Sequence, residues 1–393
     1  MRDSREPIER FLLMTTSQSV IPIALPATGE EEWHAVREPI LRGWLTQGPK
    51  VAAFEQAFAT RHQVSHALAT TSCTTALHLA LVALGIGPGD EVIVPAFTWV
   101  ATANVVLYCG ATPVFADVDP VTFTIDVADA LARVTARTRA VIPVHLFGAC
   151  ADVEALRAGL PKDVILIEDA ACAAGASYKG HPAGGLGDMA AFSFHPRKSI
   201  TTGEGGMLTT NRADAAETAN RLRNHGASLS EEQRHLGAKP YLLPDFNLLG
   251  FNYRMTDVQA AIGLVQLAKL DRFITERAHW AAWYGERLAC LPWLRLPAVL
   301  EGHAWQAYVT SVDPKSAPLP RDVLMDRLQQ QGIATRPGTH AVHKLGYYRT
   351  RFGLKPEDFP NAHACDVNTM ALPLHNRMSA EDYERVVSSL CAF

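Results

Sequence analysis

No CxxC pair occurs in these 393 residues, nor any run of lysines and arginines, any internal repeat or any low-complexity linker. The seven cysteines (Cys73, Cys109, Cys150, Cys172, Cys290, Cys365 and Cys391) are odd in number and scattered. A disulfide framework or a structural zinc site is therefore not expected, and a reducing cytoplasm suits the chain. The formal net charge is only −4, from 36 basic and 40 acidic side chains, so nothing marks nucleic acid as a partner. The N-terminal stretch MRDSREPIERFLLMTTSQSV holds an apolar run of four residues, too short for a signal-peptide core. Met14 is a candidate true start, because the segment before it is charged and offers little to pack. The longest weakly charged stretch, Phe97 to Ala116, has the length of a membrane span. Gly110 and Pro113 divide it, so a buried helix followed by a buried strand is expected, and no membrane.

What is present is a globular composition, 48% hydrophobic and 19% charged, long enough for a large core and two domains. VAAFEQAFATRH and TTALHLALVALG read as helices, the second with Ser72 or Thr74 near its start. EVIVPA, TPVFADVD, TRAVIPVHLFG, DVILIEDAA and MAAFSFH are strand-length and apolar on both faces, with GGMLTTN a further strand. Helix-length segments such as VADALARV and DVEALRAG lie between several of them. The alternation predicts an α/β fold with a mostly parallel sheet covered on both sides. From Met255 one long helical pattern begins, with Thr256 as its N-cap and Asp257 in its first turn, where an anion suits the helix dipole. Shorter mixed segments after it predict a smaller α+β domain. The expected division is an N-terminal segment over 1–40, a large domain over 41–270 and a small domain over 271–393. Residues 1–13 are read as disordered, and the rest of the N-terminal segment as packing with the small domain.

Four features fall at predicted strand ends, which in open parallel sheets face the ligand crevice. TTSCTTALH offers hydroxyls and backbone N–H groups at a helix start, a cradle for phosphate; ordinary capping by Ser72 or Thr74 explains it as well. In PAFTWVAT, Trp99 is either a face on which a flat ring stacks or a core tryptophan. In LIEDAACAAG, Asp169 is either a carboxylate that pairs with a ring nitrogen or a helix N-cap. In AAFSFHPRKSITTGEGGMLTT, Lys198 is either an imine-forming amine or a solvated cation on a surface loop. Ser193 precedes it and is able to donate to a phosphate, and Gly203, Gly205 and Gly206 permit close approach or positive φ. In this order on an α/β chain, the four are the parts needed to hold pyridoxal phosphate.

The segments SCTTALHLAL, VPAFTWVATANVV, PVFADVDP, IPVHLFG, IEDAACAAGA, FSFHPRKSITTGEGGMLTT and GFNYRMTDVQAAIGLVQL resemble the DegT/DnrJ/EryC1/StrS family of sugar aminotransferases. These enzymes have fold type I of the pyridoxal-phosphate enzymes. The resemblance implies Lys198 as the Schiff-base lysine and proton shuttle, Asp169 as the partner of the pyridinium nitrogen and Trp99 as the stacking ring. It implies Thr74, Thr75 and Ser193 as phosphate ligands. Asn252 matches a residue donated to the neighbouring subunit's phosphate, which implies a homodimer with its active site at the interface. Cys172 stands where the family commonly has Gln or His, which leaves any contact to the cofactor's ring hydroxyl open. Cys73 stands where many relatives have Gly. The implied reaction moves the amino group of L-glutamate, through pyridoxamine phosphate, to a keto sugar. A dehydrating branch carries His in place of the lysine, so Lys198 argues against it.

ATRPGTHAVHKLGYY and WLTQGPKVAAFE are similar to perosamine-synthase-like members. They imply a nucleotide-linked 4-keto-6-deoxy sugar, with GDP favoured over dTDP or UDP, in deoxyamino-sugar synthesis of the lipopolysaccharide O-antigen kind. His225, Thr339 and His340 are substrate-side candidates, each equally readable as a structural loop residue. Another keto sugar or a keto-cyclitol is the alternative acceptor. A non-catalytic, cofactor-binding regulator is the alternative of another class, disfavoured by the lack of a DNA-reading module.

Overall fold

A computed structural model describes residues 20–228, 241 and 243–393. The expectations for Met14 and for residues 1–13 lie outside them. Seven strands form the main sheet: β1 His66–Thr70, β2 Glu91–Pro95, β3 Thr112–Ala116, β4 Thr138–Val141, β5 Ile165–Asp169, β6 Met189–Ser193 and β7 Gly206–Thr210. Their spatial order is β1-β7-β6-β5-β4-β2-β3. Strands β2 to β6 pair in parallel, while β7 runs antiparallel to both its neighbours. Val92, Ile93 and Val94 on β2 and Leu166 and Ile167 on β5 are all buried. A sheet covered on both faces requires such unbroken apolar runs, which is why these strands show in the sequence.

Among the described residues, the α-helices up to Leu288 are α1 Glu30–Arg42, α2 Pro49–His62, α3 Cys73–Ala83, α4 Ala101–Tyr108, α5 Val127–Ala132, α6 Val153–Gly159, α7 Ala213–Leu222 and α8 Asp257–Leu288. Phe97 to Ala116 contains helix α4 followed by strand β3, and no described helix is long and apolar enough to cross a membrane. Some elements differ from the sequence reading. Helices α1 and α7 were not anticipated. Strand β1, HALAT, also escaped, because its alanines carry little β preference; its pairing along β7, from His66 opposite Thr210 to Thr70 opposite Gly206, makes it a strand. A second sheet of β8 Leu294–Arg295, β9 Tyr308–Val312 and β10 Thr369–Leu372 is wholly antiparallel and packs with the C-terminal helix Ala380–Cys391 around Tyr284, Tyr308 and Tyr383.

Thr256 caps α8, its hydroxyl accepting from Gln259 N at 3.2 Å. Asp257 serves a different helix. Its buried carboxylate accepts from Gly48 N at 2.8 Å, Lys50 N at 3.1 Å and Val51 N at 3.1 Å. Pro49 has no N–H, so this anion takes the available donors at the start of α2 and lies at the positive end of its dipole. Asp257→Ala is expected to cost about 3 kcal/mol, because buried N–H groups are orphaned. A denaturant midpoint lowered at constant slope is the check.

Candidate active site

Register places the site. Thr70, Gly206 and Ser193 lie side by side across β1, β7 and β6, and Asp169 pairs with Ala191 on the next strand. The carboxyl ends of β1, β5 and β6 therefore share one edge. From Ser193 the chain enters the lysine loop, which is folded onto the protein: Ser199, Ile200, Thr201 and Thr202 are buried and Lys198 is half-buried. The threonines close the loop. Thr201 Oγ1 donates to Phe194 O at 2.8 Å and accepts from Gly203 N at 3.0 Å. Gly203 has φ 85°, which a side chain disfavours. Gly206 is needed for space, since a Cβ there would lie 2.3 Å from the carbonyl carbon of Ser72 at the start of α3. The loop is thus no solvated surface turn.

Lys198 Nζ lies 3.1 Å from Cys172 Sγ. Burial works against its charge, but Cys172, Cys73 and Asp169 outweigh burial and hold the amine above the ordinary lysine range. Only the neutral amine is a nucleophile. Uptake of an aldehyde at Lys198 by the ligand-free chain is therefore expected to accelerate steadily from about pH 7 to pH 10 without levelling. Cys172→Ala removes one source of the rise and shifts the acceleration to lower pH. Stopped-flow uptake of pyridoxal phosphate across this range checks both.

Neighbouring residues on β5 face opposite sides of the sheet, and their carboxylates are treated differently. Glu168 is saturated: it accepts from His145 Nε2 at 2.9 Å, Gly184 N at 2.7 Å, and Leu186 N and Gly187 N at 2.8 Å each. His145 Nδ1 accepts from Ala151 N, so Nε2 carries the hydrogen. Asp169, only 4% exposed, has Thr102 Oγ1 at 2.7 Å and Ala171 N at 3.2 Å, with Cys73 Sγ 4.0 Å away. Burial drives its pKa upward, against the opposing pull of Thr102, Ala171, Lys198 and His145. No helix starts there, so Asp169 is not an N-cap. It is a buried acid with acceptor capacity left and no ion-pair partner among the described residues. Thr102 was not singled out from the sequence. The two threonines flanking Trp99 were the available signal: Thr98 Oγ1 lies 3.1 Å from Thr102 Oγ1, which in turn binds Asp169.

Trp99 is 59% exposed, so it is not a core residue. Phe97–Thr98 pairs antiparallel with His340–Ala341, which brings the rings of Trp99 and His340 to 5.6 Å at 41°. An exposed aromatic face, a buried unsaturated carboxylate and an amine thus converge on one edge of a mostly parallel sheet.

The family model of the DegT/DnrJ/EryC1/StrS aminotransferases matches residues 26–391. The chain belongs to this family. Solved structures agree in fold over nearly their whole length. Spr1654 of Streptococcus pneumoniae, a sugar aminotransferase by its description and solved in a PMP form, is 28% identical over 94% of this chain and 98% of its own, with a TM-score of 0.88. It is also solved in a PLP form. PseC of Helicobacter pylori, an aminotransferase involved in the biosynthesis of pseudoaminic acid, is 26% identical over 95% and 99%, with a TM-score of 0.88. DesV of S. venezuelae, solved with a ketimine intermediate, is 33% identical over 92% and 93%, with a TM-score of 0.83.

In this aminotransferase the start of α3 is capped by Ser72, which accepts from Thr75 N at 3.2 Å, while Thr75 Oγ1 accepts from Ser72 N at 3.0 Å. Capping thus occupies Ser72 and Thr75, and Thr74 Oγ1 makes no hydrogen bond among the described residues. Ser193 Oγ accepts only a long 3.4 Å contact from His195 N. Asn252 is exposed, accepts from Arg254 Nε at 3.2 Å and pairs through its backbone with Asn224, next to the exposed His225 at φ 59°. No hydrogen bond or ring contact joins Asn252 or His225 to Lys198, Asp169 or Trp99 among the described residues. Thr339 is half-buried beside His340. Arg336, in the same stretch, was missed from the sequence. Its Nε is buried without a hydrogen bond, and its backbone carbonyl is held by Ala371 N at 2.8 Å.

Proposed function

We propose that this enzyme moves the amino group of L-glutamate to a nucleotide-linked 4-keto-6-deoxy sugar, with GDP the favoured nucleotide, and that its cofactor is pyridoxal 5′-phosphate. The observation that carries the reading is the pairing, on one strand-end edge, of an amine held by a thiol with a buried carboxylate that lacks a cation. The residues present fit this cofactor. Lys198 supplies the amine for its aldehyde, Asp169 a carboxylate for its ring nitrogen and Trp99 an exposed ring for its face. The first turn of α3, with the unengaged hydroxyl of Thr74 and the weakly held one of Ser193, suits a phosphate. Thr75 has both its hydroxyl and its backbone N–H engaged with Ser72, so it reaches a phosphate only if the cap opens. Cys172, bonded to Lys198 Nζ and standing where the family commonly has Gln or His, would be the residue available on that side of the cofactor. When bound, the cofactor supplies an electron sink for the carbanion formed at the donor's Cα.

The chain's own part is to bind, hold and move protons. Asp169 keeps a proton on the ring nitrogen, because a cation there neutralises a carboxylate that burial otherwise pushes towards its neutral form. With the cofactor bound, Lys198 Nζ would take the proton from the donor's Cα, carry it as an ammonium, and give it up again as the amino group leaves the donor carbon. Thr102 keeps the Asp169 carboxylate in place. Arg336 offers an unpaired Nε for the donor's carboxylate. Arg336→Gln is expected to raise the KM for glutamate at least tenfold with the sugar KM little changed, about the loss of one charged hydrogen bond. Steady-state kinetics with each substrate varied in turn check it. His225, Thr339 and His340 are the residues proposed for the acceptor, and the ring of His340 flanks that of Trp99.

The working unit is a homodimer with Asn252 lent to the neighbour's phosphate site. One chain leaves the large apolar side chains of Trp33, Leu41, Leu243 and Leu249 exposed, the last to 92%, and a second copy would cover apolar side chains of this kind. Cofactor-loaded protein mixed with glutamate and a panel of GDP-, dTDP- and UDP-4-keto-6-deoxy sugars and a cyclitol ketone tests the function. Release of 2-oxoglutarate and an aminated GDP-sugar are expected. Amination of a cyclitol ketone alone would overturn the acceptor, and no 2-oxoglutarate with any acceptor would overturn the reaction.

A further inference from the structure

Lys198 belongs to a peptide plane held at both ends. Its own N–H donates to His195 O at 2.9 Å, and the carbonyl of Arg197, the other half of the same peptide, accepts from Gln306 Nε2 at 2.8 Å. A peptide unit is rigid, so two bonds on opposite edges fix where the Cα of Lys198 sits and where its side chain starts. The first bond is local to the loop. The second arrives from 109 residues away and is made by a side chain only 7% exposed.

Gln306 lies in a strap, residues 303–307, that leads into β9, and the strap is fastened on both sides. Towards the main sheet, Ala304 N donates to Gly148 O at 2.9 Å and Ala307 N to Phe147 O at 3.2 Å. Towards α8, the buried Arg277 donates from Nη1 to Trp305 O at 3.3 Å, Gln306 O at 3.2 Å and Leu374 O at 3.0 Å, and from Nε to Asn376 Oδ1 at 2.8 Å. The backbone is forced where the two meet. Trp305 (φ 48°) and Phe147 (φ 59°) both adopt left-handed conformations unfavourable for bulky residues. A Cβ on the intervening Gly148 would lie 2.9 Å from the backbone nitrogens of Trp305 and Gln306. A strained, doubly fastened strap whose inward side chain makes one bond to the lysine loop is built to hold that bond.

We propose that Gln306 is a positioning residue that acts through Lys198: it pins the Arg197–Lys198 peptide and so sets the aim of the amine towards Cys172 and Asp169. The proposal rests on the reading of Lys198 as the reacting amine. Gln306→Met keeps length and bulk and removes the donor. Gln306→Glu keeps the shape and opposes an anion to the carbonyl. Gln306→Met is expected to lower kcat about fivefold, with the KM for glutamate unchanged and the thermal midpoint nearly unmoved. In the cofactor-free protein it should speed hydrogen exchange of the Lys198 amide by a similar factor. Gln306→Glu should do both more strongly. Thr310→Val serves as control: it removes the 2.8 Å bond from Thr310 Oγ1 to Met370 O within the same sheet, and should lower the thermal midpoint without speeding exchange at Lys198. Wild-type exchange at Lys198 in Gln306→Met, or faster exchange in the control as well, overturns the proposal. The exchange readout needs no turnover, so it separates a failure of this inference from a failure of the proposed reaction.

Discussion

Lys198→Ala is expected to abolish glutamate-dependent release of 2-oxoglutarate, with a fall of about 10⁴-fold or more, because one group serves both as nucleophile towards the cofactor and as carrier of the Cα proton. The structure makes the loss specific. Nζ is the atom that bonds Cys172, and the buried Thr201 and Thr202 behind it keep their own bonds when the side chain is cut. Fold and thermal midpoint should therefore survive. Lys198→Arg should be as inactive, since guanidinium keeps the charge but does not give up its proton near neutral pH. A small primary amine added to Lys198→Ala should restore part of the proton-transfer rate. Mixing Lys198→Ala with Asn252→Ala should recover activity if Asn252 completes the neighbour's site, because one hybrid site then has both residues. Full activity in Lys198→Ala would sink the reading.

The second large effect belongs to Asp169. Asp169→Asn should lower kcat by about 10²–10³-fold, the scale seen when a preorganised charge facing a reacting group is removed. An amide cannot hold a proton on a ring nitrogen. The cofactor-free protein should respond in the opposite sense. Burial raises the folded pKa of Asp169 above its ordinary value of 3.8. Between those two values the folded chain binds more protons than the unfolded one, so this group's contribution to stability falls as pH rises through the window and stays low above it. Asn does not titrate. Cofactor-free Asp169→Asn should thus be at least as stable as wild type at neutral pH and lose less stability as pH rises from about 4. Paired thermal melts with and without cofactor measure this, and a variant both active and destabilised would contradict it.

The two carboxylates of Glu168–Asp169 show where sequence reasoning reaches and where it stops. That a carboxylate follows VILI at a strand end is visible in the chain. That Glu168 is consumed by His145 and three backbone N–H groups, while Asp169 keeps acceptor capacity, depends on which face each occupies and what packs there. Likewise TTSCTT announces a capped helix start, but only the contacts show that Ser72 and Thr75 do the capping and leave Thr74 unengaged.

Local signals in the chain were enough for the strands buried on both faces, for the capped start of α8 and for the order in which amine, carboxylate, ring and helix start follow one another. Apolar runs, caps and glycines act over a few residues and leave their pattern in the sequence. Contacts across tens to hundreds of residues leave none. Asp257 capping α2, Thr102 steadying Asp169, Gln306 reaching Arg197 and β1 taking its strand form from β7 each depend on side chains or backbone that only the folded chain brings together.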